Sequence, residues 1–264
     1  MGALPSIQKL WEKHGGKGLH IFLAECQGGT MEDLSKYAKD RGLTFPITIG
    51  NGAFGGYEGG RGLPYAFVIG PDGKVVQQGH SGYESVIEKE LKRIKYFGLG
   101  KLEVARGLEK AATLFSAGDY AKAAADAAKV KEKNSDDAAV VADADWIIAR
   151  VDLKASMLRA KVEKGKESRR YHEAQAALEK LAGRGFKGME VAEKAAAELK
   201  EMKSDKAVQK EIRAWNMLAQ LQDADKRIKD GATRKRNLEG FAKRYEGTAA
   251  AEEALKLAGE ISTD

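Results

Sequence analysis

Glycine and proline are distributed unevenly along this 264-residue chain, and this unevenness constrains its fold more than any other feature. All four prolines and twenty of the thirty glycines lie within the first 100 residues. Glycine and proline punctuate short strands and turns, whereas the Ala, Lys, Glu and Leu that dominate the second half favour helix. The change at "FGLGK", residues 97–101, therefore predicts two domains, residues 1–97 and 98–264.

The first half alternates helical and strand patterns in the order α-β-α-β-β-β-α. Pro5 fits the first turn of one helix, and Thr30 begins a second helix with Asp33 as its capping-box partner. The apolar run in "GLHIFLAEC" predicts a strand buried on both faces. "PYAFVIG" and "KVVQQG" predict a hairpin around the Pro-Asp-Gly turn at 71–73, and a helix over 83–96 follows.

The second half has only helical patterns. "AGDYAKAAADAAKV", residues 117–130, resembles the turn between two tetratricopeptide helices, but the tyrosines that would mark repeats are 51 and 74 residues apart. A tetratricopeptide-like domain and an irregular helical bundle therefore both stay open, and helical arrays commonly bind protein partners. Apolar residues at spacings of three and four predict the core faces, and the three tryptophans are assigned to the core with them: Val140, Ala144, Ile147 or Ile148, Val151, Leu158, Val208, Ile212, Leu218, Leu221, Trp11, Trp146 and Trp215.

Composition excludes several classes of function. The 45 basic and 39 acidic residues are mixed along the chain, and the basic runs at 166–170 and 234–236 form no one-sided patch with aromatic residues, so we expect no nucleic-acid binding. The four histidines and the single cysteine have no metal-ligand spacing, so we expect no metal and no cofactor. No run of about 18 apolar residues predicts a membrane span, and the N-terminus has no signal-peptide pattern.

The segment "LPYAFVIGPDGKVVQQG" carries a resemblance to a known family. Together with "LPSIQKLWEKHGGKGLHIFLAE" and "YAKDRGLTFPITIG", it resembles the thioredoxin-like redoxins of the TlpA/ResA and AhpC/TSA type, over residues 3 to about 96. Tyr65 departs from the family pattern, which usually has Thr there. The resemblance implies an α/β thioredoxin-like domain that is incomplete at its N-terminus, followed by the helical, tetratricopeptide-like domain.

The resemblance also implies a missing part. In that family a central strand and a Cys-x-x-Cys precede the segment that begins at Leu4, and this chain contains neither. Three explanations stay open: loss of the dithiol, a misassigned or trimmed start, and an upstream selenocysteine codon read as a stop. Without that strand, the strands at 19–24 and 65–69 have open edges. We expect them to pair directly, or to be filled by another segment or by a second chain in a homodimer.

Three residues are candidates for the site. Cys26 ends a predicted strand next to a helix start, where a catalytic thiol could lie. Pro64 matches the family's cis-proline, which implies that Leu63 and Pro64 align an extended protein substrate; the neighbouring glycine-rich segment 51–62 is interpreted as a covering loop. The resemblance implies a thiol-disulfide oxidoreductase of the bacterial envelope whose helical domain recruits a protein partner. The alternative is a non-catalytic scaffold or protein-binding module.

Overall fold

The computed structural model describes residues 4–50, 65–228 and 230–261, together with the backbone of 53–54 and 57–58. Eleven α-helices and six short strands lie within these residues. The helices are α1 (Leu4–His14), α2 (Met31–Asp40), α3 (Tyr83–Arg93), α4 (Glu109–Ser116), α5 (Tyr120–Lys133), α6 (Ala138–Glu167), α7 (Tyr171–Leu181), α8 (Glu190–Ser204), α9 (Lys206–Asp225), α10 (Gly231–Arg244) and α11 (Ala249–Gly259). The strands are β1 (Leu23–Glu25), β2 (Ile47–Ile49), β3 (Ala53–Phe54), β4 (Tyr57–Glu58), β5 (Ala66–Ile69) and β6 (Val75–Gly79).

The predicted fold class, an α/β thioredoxin-like domain followed by a tetratricopeptide-like one, is wrong. Of the residues that the structure describes, 66% are helical, and the described strands form three separate two-stranded ladders. In these ladders β1 runs parallel to β2, β3 antiparallel to β4 and β5 antiparallel to β6. No described strand joins β1 to β5, so the expected direct pairing across the gap is absent from the part of the chain that the structure describes. Filling of the gap by a second chain stays a prediction.

The physical reason lies in the strand that was expected to be central. Only three residues of the run "GLHIFLAEC" form β1, and all three are half-buried. Phe22, immediately before β1, is 67% exposed. A strand this short, with an exposed apolar neighbour, offers few ladder hydrogen bonds and little buried surface, so nothing extends the sheet beyond one partner. The segment 51–62, interpreted as a loop, contains the two-residue strands β3 and β4.

By contacts the chain divides into two compact units, Met1–Ala117 and Gly118–Asp264, whereas the composition change predicts the boundary at 97–98. In the first unit Leu10 of α1, Val68 of β5 and Ile87 of α3 form a small core. The buried amide of Gln8 donates to the Thr44 hydroxyl at 2.9 Å, and the Thr44 N–H donates back to Gln8 at 3.0 Å, so this pair joins α1 to the segment before β2.

The second unit contains α5 to α11, in which each helix packs against the next along the chain, while α9 also contacts α7 and α11. Small residues allow close approach: the buried Gly165 of α6 lies against the backbone of Ala174 in α7. Asp137, Asp205 and Asp230 accept hydrogen bonds from the free N–H groups that begin α6, α9 and α10. These caps fix where the long helices start.

Candidate functional site

Cys26 is a free, exposed cysteine directly after β1. The carboxylate of Glu25 accepts the N–H of Gln27, so an acidic group lies beside the thiol in sequence and holds the turn that follows. The helix α2 begins at Met31, where Thr30 and Asp33 form the predicted capping box. The structure therefore leaves Cys26 accessible, and its redox role stays a prediction.

Leu63 and Pro64 lie outside the described residues, so the predicted cis peptide and the substrate-aligning role stay predictions. Among the residues described, no three His, Cys, Asp or Glu side chains group closely enough to hold a metal ion. None of the described helices combines the length and apolarity needed to cross a membrane.

A cavity of about 370 Å³ in the second unit is lined by Arg169, Glu211 and Gly247, with residues of α7, α9 and the start of α11 around them. The Arg169 guanidinium forms ion pairs with the buried Glu211 and, at 3.2 Å, with Glu252. It also donates a hydrogen bond to the Gly247 carbonyl at 2.6 Å. Glu211 also accepts the N–H of Ala249 at 3.1 Å, at the start of α11. The cation in this cavity is therefore already neutralised by the protein, which favours a structural role over ligand binding.

The contacts around Trp215 extend this structural junction. The indole N–H of Trp215 donates to the Arg169 carbonyl at 3.0 Å, and the His172 ring stacks on the indole with centroids 5.2 Å apart. Arg169 has a positive φ of 54°, a left-handed conformation that costs a non-glycine residue about 1 kcal/mol or more. Burial lowers the pKa of His172. These bonds offset the strain and fix the turn between α6 and α7 against α9.

The 30-residue helix α6 has apolar residues on two opposite faces. One face is the core, with Val140, Ile147 and Val151 buried as the sequence predicts. On the other face Trp146 is 38% exposed, Leu153 43% and Met157 52%. Their spacing of seven and four residues places them in one row on the side away from the core. We call Trp146, Arg150, Leu153 and Met157 the α6 outer face.

Basic side chains border this row on one side. The guanidinium of Arg150 lies 5.5 Å from the centroid of the Trp146 ring, and its Nε is buried without a hydrogen-bond partner among the described residues. Lys154 and Lys161 follow on the same side of the helix, and neither forms an ion pair with a described residue. Elsewhere in this unit, by contrast, Lys131 pairs with Asp145 at 2.6 Å.

Sequence reasoning missed the α6 outer face. The prediction that Trp146 is a core residue is wrong, whereas Trp215 is buried as predicted. Both helix faces show apolar spacing of three, four or seven, and this signal was present in the sequence at 146, 153 and 157. Periodicity alone cannot tell which of two apolar faces a neighbouring helix covers.

No family model, curated protein or solved structure matches the chain. The resemblance to the redoxins stays a hypothesis, and function has to be argued from the geometry.

Proposed function

We propose that this chain is a protein-binding module that contacts its partner through the α6 outer face. One observation carries this proposal: three large apolar side chains lie in a single exposed row on a helix whose other side is already packed. Scattered exposed apolar residues are normal on protein surfaces, but a contiguous row is typical of an interaction site.

The exposed apolar area sets the size of the contribution that these three side chains make to binding. Fully burying a large apolar side chain is worth about 1.5–3 kcal/mol, and roughly half of each of these three remains exposed. Covering the row is therefore worth about 3 kcal/mol, which is roughly a hundredfold in affinity. The Arg169 junction supports the role, because it holds the turn after α6 and presents the face on a rigid helix.

The test is an affinity capture from an extract of the source organism with three forms of the full chain. We expect the wild type and Leu255→Ser to retain the same proteins, because Leu255 is exposed on α11, away from the α6 outer face. The double variant Leu153→Ser, Met157→Ser should lose them. Circular dichroism checks that all three forms are equally helical. If the double variant retains the same proteins, the α6 outer face is not the binding surface and the proposal fails.

A second candidate is thiol-disulfide exchange with a protein partner, and the exposure of Cys26 favours it. With one cysteine in the chain, a thiolate at Cys26 can attack a partner disulfide, form a mixed disulfide and release one partner thiolate, but it cannot resolve that bond itself. Incubation with a disulfide-bonded protein substrate should then give an adduct that dithiothreitol reverses and Cys26→Ser abolishes. If iodoacetamide leaves Cys26 unlabelled at neutral pH, this candidate is excluded.

A further inference from the structure

The α6 outer face carries information about the chemistry of its partner, on the assumption that the proposed function holds. The row from Trp146 to Met157 covers twelve residues of α6, whose eleven rises of 1.5 Å make it about 16 Å long. A row of this length on a helix forms a ridge flanked by grooves, and such a surface is matched by the side-chain ridges of a second helix. An extended strand would leave its own N–H and C=O groups without partners here, because α6 offers only side chains.

The charges beside the row are the second step. Arg150, Lys154 and Lys161 lie on one side of it, and the two lysines have no ion pair with a described residue. The buried Arg150 Nε has no hydrogen-bond partner among the described residues either. A carboxylate arriving on this side would meet two lysines without an ion pair, and Arg150 adds positive charge there although its guanidinium already contacts the Trp146 ring.

The opposite side of the row is different. It carries Asp145, Asp152 and Glu163, and two of these are already paired, Asp145 with Lys131 and Glu163 with Arg159 at 3.6 Å. Asp143 lies on the basic side, one turn before Trp146, so the two sides differ in sign from Arg150 to Lys161. A partner that complements this surface is acidic along one side only.

We propose that the α6 outer face binds an amphipathic helix of a partner protein whose apolar residues recur at spacings of three and four and whose flank facing Arg150, Lys154 and Lys161 carries Asp or Glu. Apolar contact with Leu153 and Met157 provides the affinity, and the cations select acidic over basic helices. Because the ion pairs lie at the rim, raising the salt concentration weakens this selection more than it weakens binding.

The probe is a designed, fluorescein-labelled 18-residue amphipathic peptide with leucines along one face and glutamates along one flank. A matched peptide has lysine in place of each glutamate. Fluorescence anisotropy with the full chain at low salt should show binding of the glutamate peptide about tenfold tighter than that of the lysine peptide, as expected for two or three exposed ion pairs. The double variant Lys154→Glu, Lys161→Glu should reverse the preference.

The control carries the same charge change elsewhere. Lys200→Glu, Lys206→Glu alters two exposed lysines off the α6 outer face and should leave the tenfold preference intact. If both peptides bind the wild type equally and neither binds the double variant Leu153→Ser, Met157→Ser, the inference of an acidic partner is wrong and the proposed function is unaffected. If neither peptide binds, the inference is overturned. If sedimentation then shows that the wild type dimerises and Leu153→Ser does not, a second copy of this chain is the occupant. If, in addition, the double variant captures the same proteins as the wild type, the proposed function itself is overturned.

Discussion

The close contact between α6 and α7 at Gly165 gives a prediction in which two opposing effects on stability can be compared. Gly165 lies in the last turns of α6, and a Cβ added there would be 2.8 Å from the backbone N and 3.0 Å from the Cβ of Ala174. The atoms belong to α7 rather than to the end of a flexible side chain, so the helices would have to separate. Overpacking of this kind costs about 1–3 kcal/mol.

Alanine also improves helix propensity over glycine by about 1 kcal/mol, which offsets part of that cost. Because the added Cβ meets backbone, the overpacking cost lies in the upper part of that range, about 2–3 kcal/mol, and we expect Gly165→Ala to lower the free energy of unfolding by about 1–2 kcal/mol. Gly240, inside α10, is the matched control, because it is exposed and an added Cβ there would meet nothing within 4 Å. Gly240→Ala should raise the free energy of unfolding by about 0.5–1 kcal/mol.

The assay is thermal unfolding followed by circular dichroism at a helical wavelength, with urea titration as a second measure. At about 2–4 °C per kcal/mol, the Tm should fall by about 4 °C for Gly165→Ala and rise by about 2 °C for Gly240→Ala. The urea midpoint should move the same way without a change in slope. If both variants are stabilised alike, the close approach of α6 and α7 does not limit packing and the reasoning is refuted.

Two further predictions concern the Arg169 junction. Glu211→Ala removes a buried carboxylate that pairs with Arg169 and accepts the first N–H of α11, so it should lower the free energy of unfolding, measured in urea, by about 3 kcal/mol. Glu252→Ala removes the exposed partner of the same arginine and should change that free energy by less than about 1 kcal/mol. Equal effects of the two substitutions would contradict the structural role of the junction. Because burial lowers the pKa of His172, the unfolded chain takes up a proton near pH 6.5 before the folded chain does, so the contribution of His172 to stability is full above pH 6.5 and declines as the pH falls below it. The urea midpoint should therefore fall less between pH 7.5 and 5.5 in His172→Gln than in the wild type. If the midpoint falls equally in both proteins, the burial of this side chain is contradicted.

The features that sequence predicted correctly depend on neighbours only a few residues away. The Thr30 hydroxyl and the Asp33 N–H form the predicted capping bond at 3.1 Å. The hairpin of β5 and β6 turns at 71–73, where Gly73 has a φ of 77° and Asp72 accepts the N–H of Lys74 at 3.2 Å. Such hydrogen bonds are determined by residue type at fixed short separation, so one sequence is enough to find them.

The wrong predictions depend on contacts far apart in sequence. Whether β1 and β5 share a sheet is decided by pairing across more than forty residues, and local apolar runs do not determine it. The assignment of Trp146 to the core failed for a related reason, since α6 is apolar on two faces and only the packing of α5 and α7 decides which one is covered. The pattern of the α6 outer face is thus present in the sequence, and only its Trp146 is assigned to the core.

The most direct test of the α6 outer face is photo-crosslinking at its centre. A benzoylphenylalanine would replace Leu153 in one form of the full chain and the exposed Glu239 of α10 in another, and each would be irradiated in an extract of the source organism. We predict that the form modified at 153 crosslinks to another protein through an acidic helical segment, identified by mass spectrometry, and that the form modified at 239 does not. Crosslinks that are the same at both positions, or that join only copies of this chain, would contradict the account.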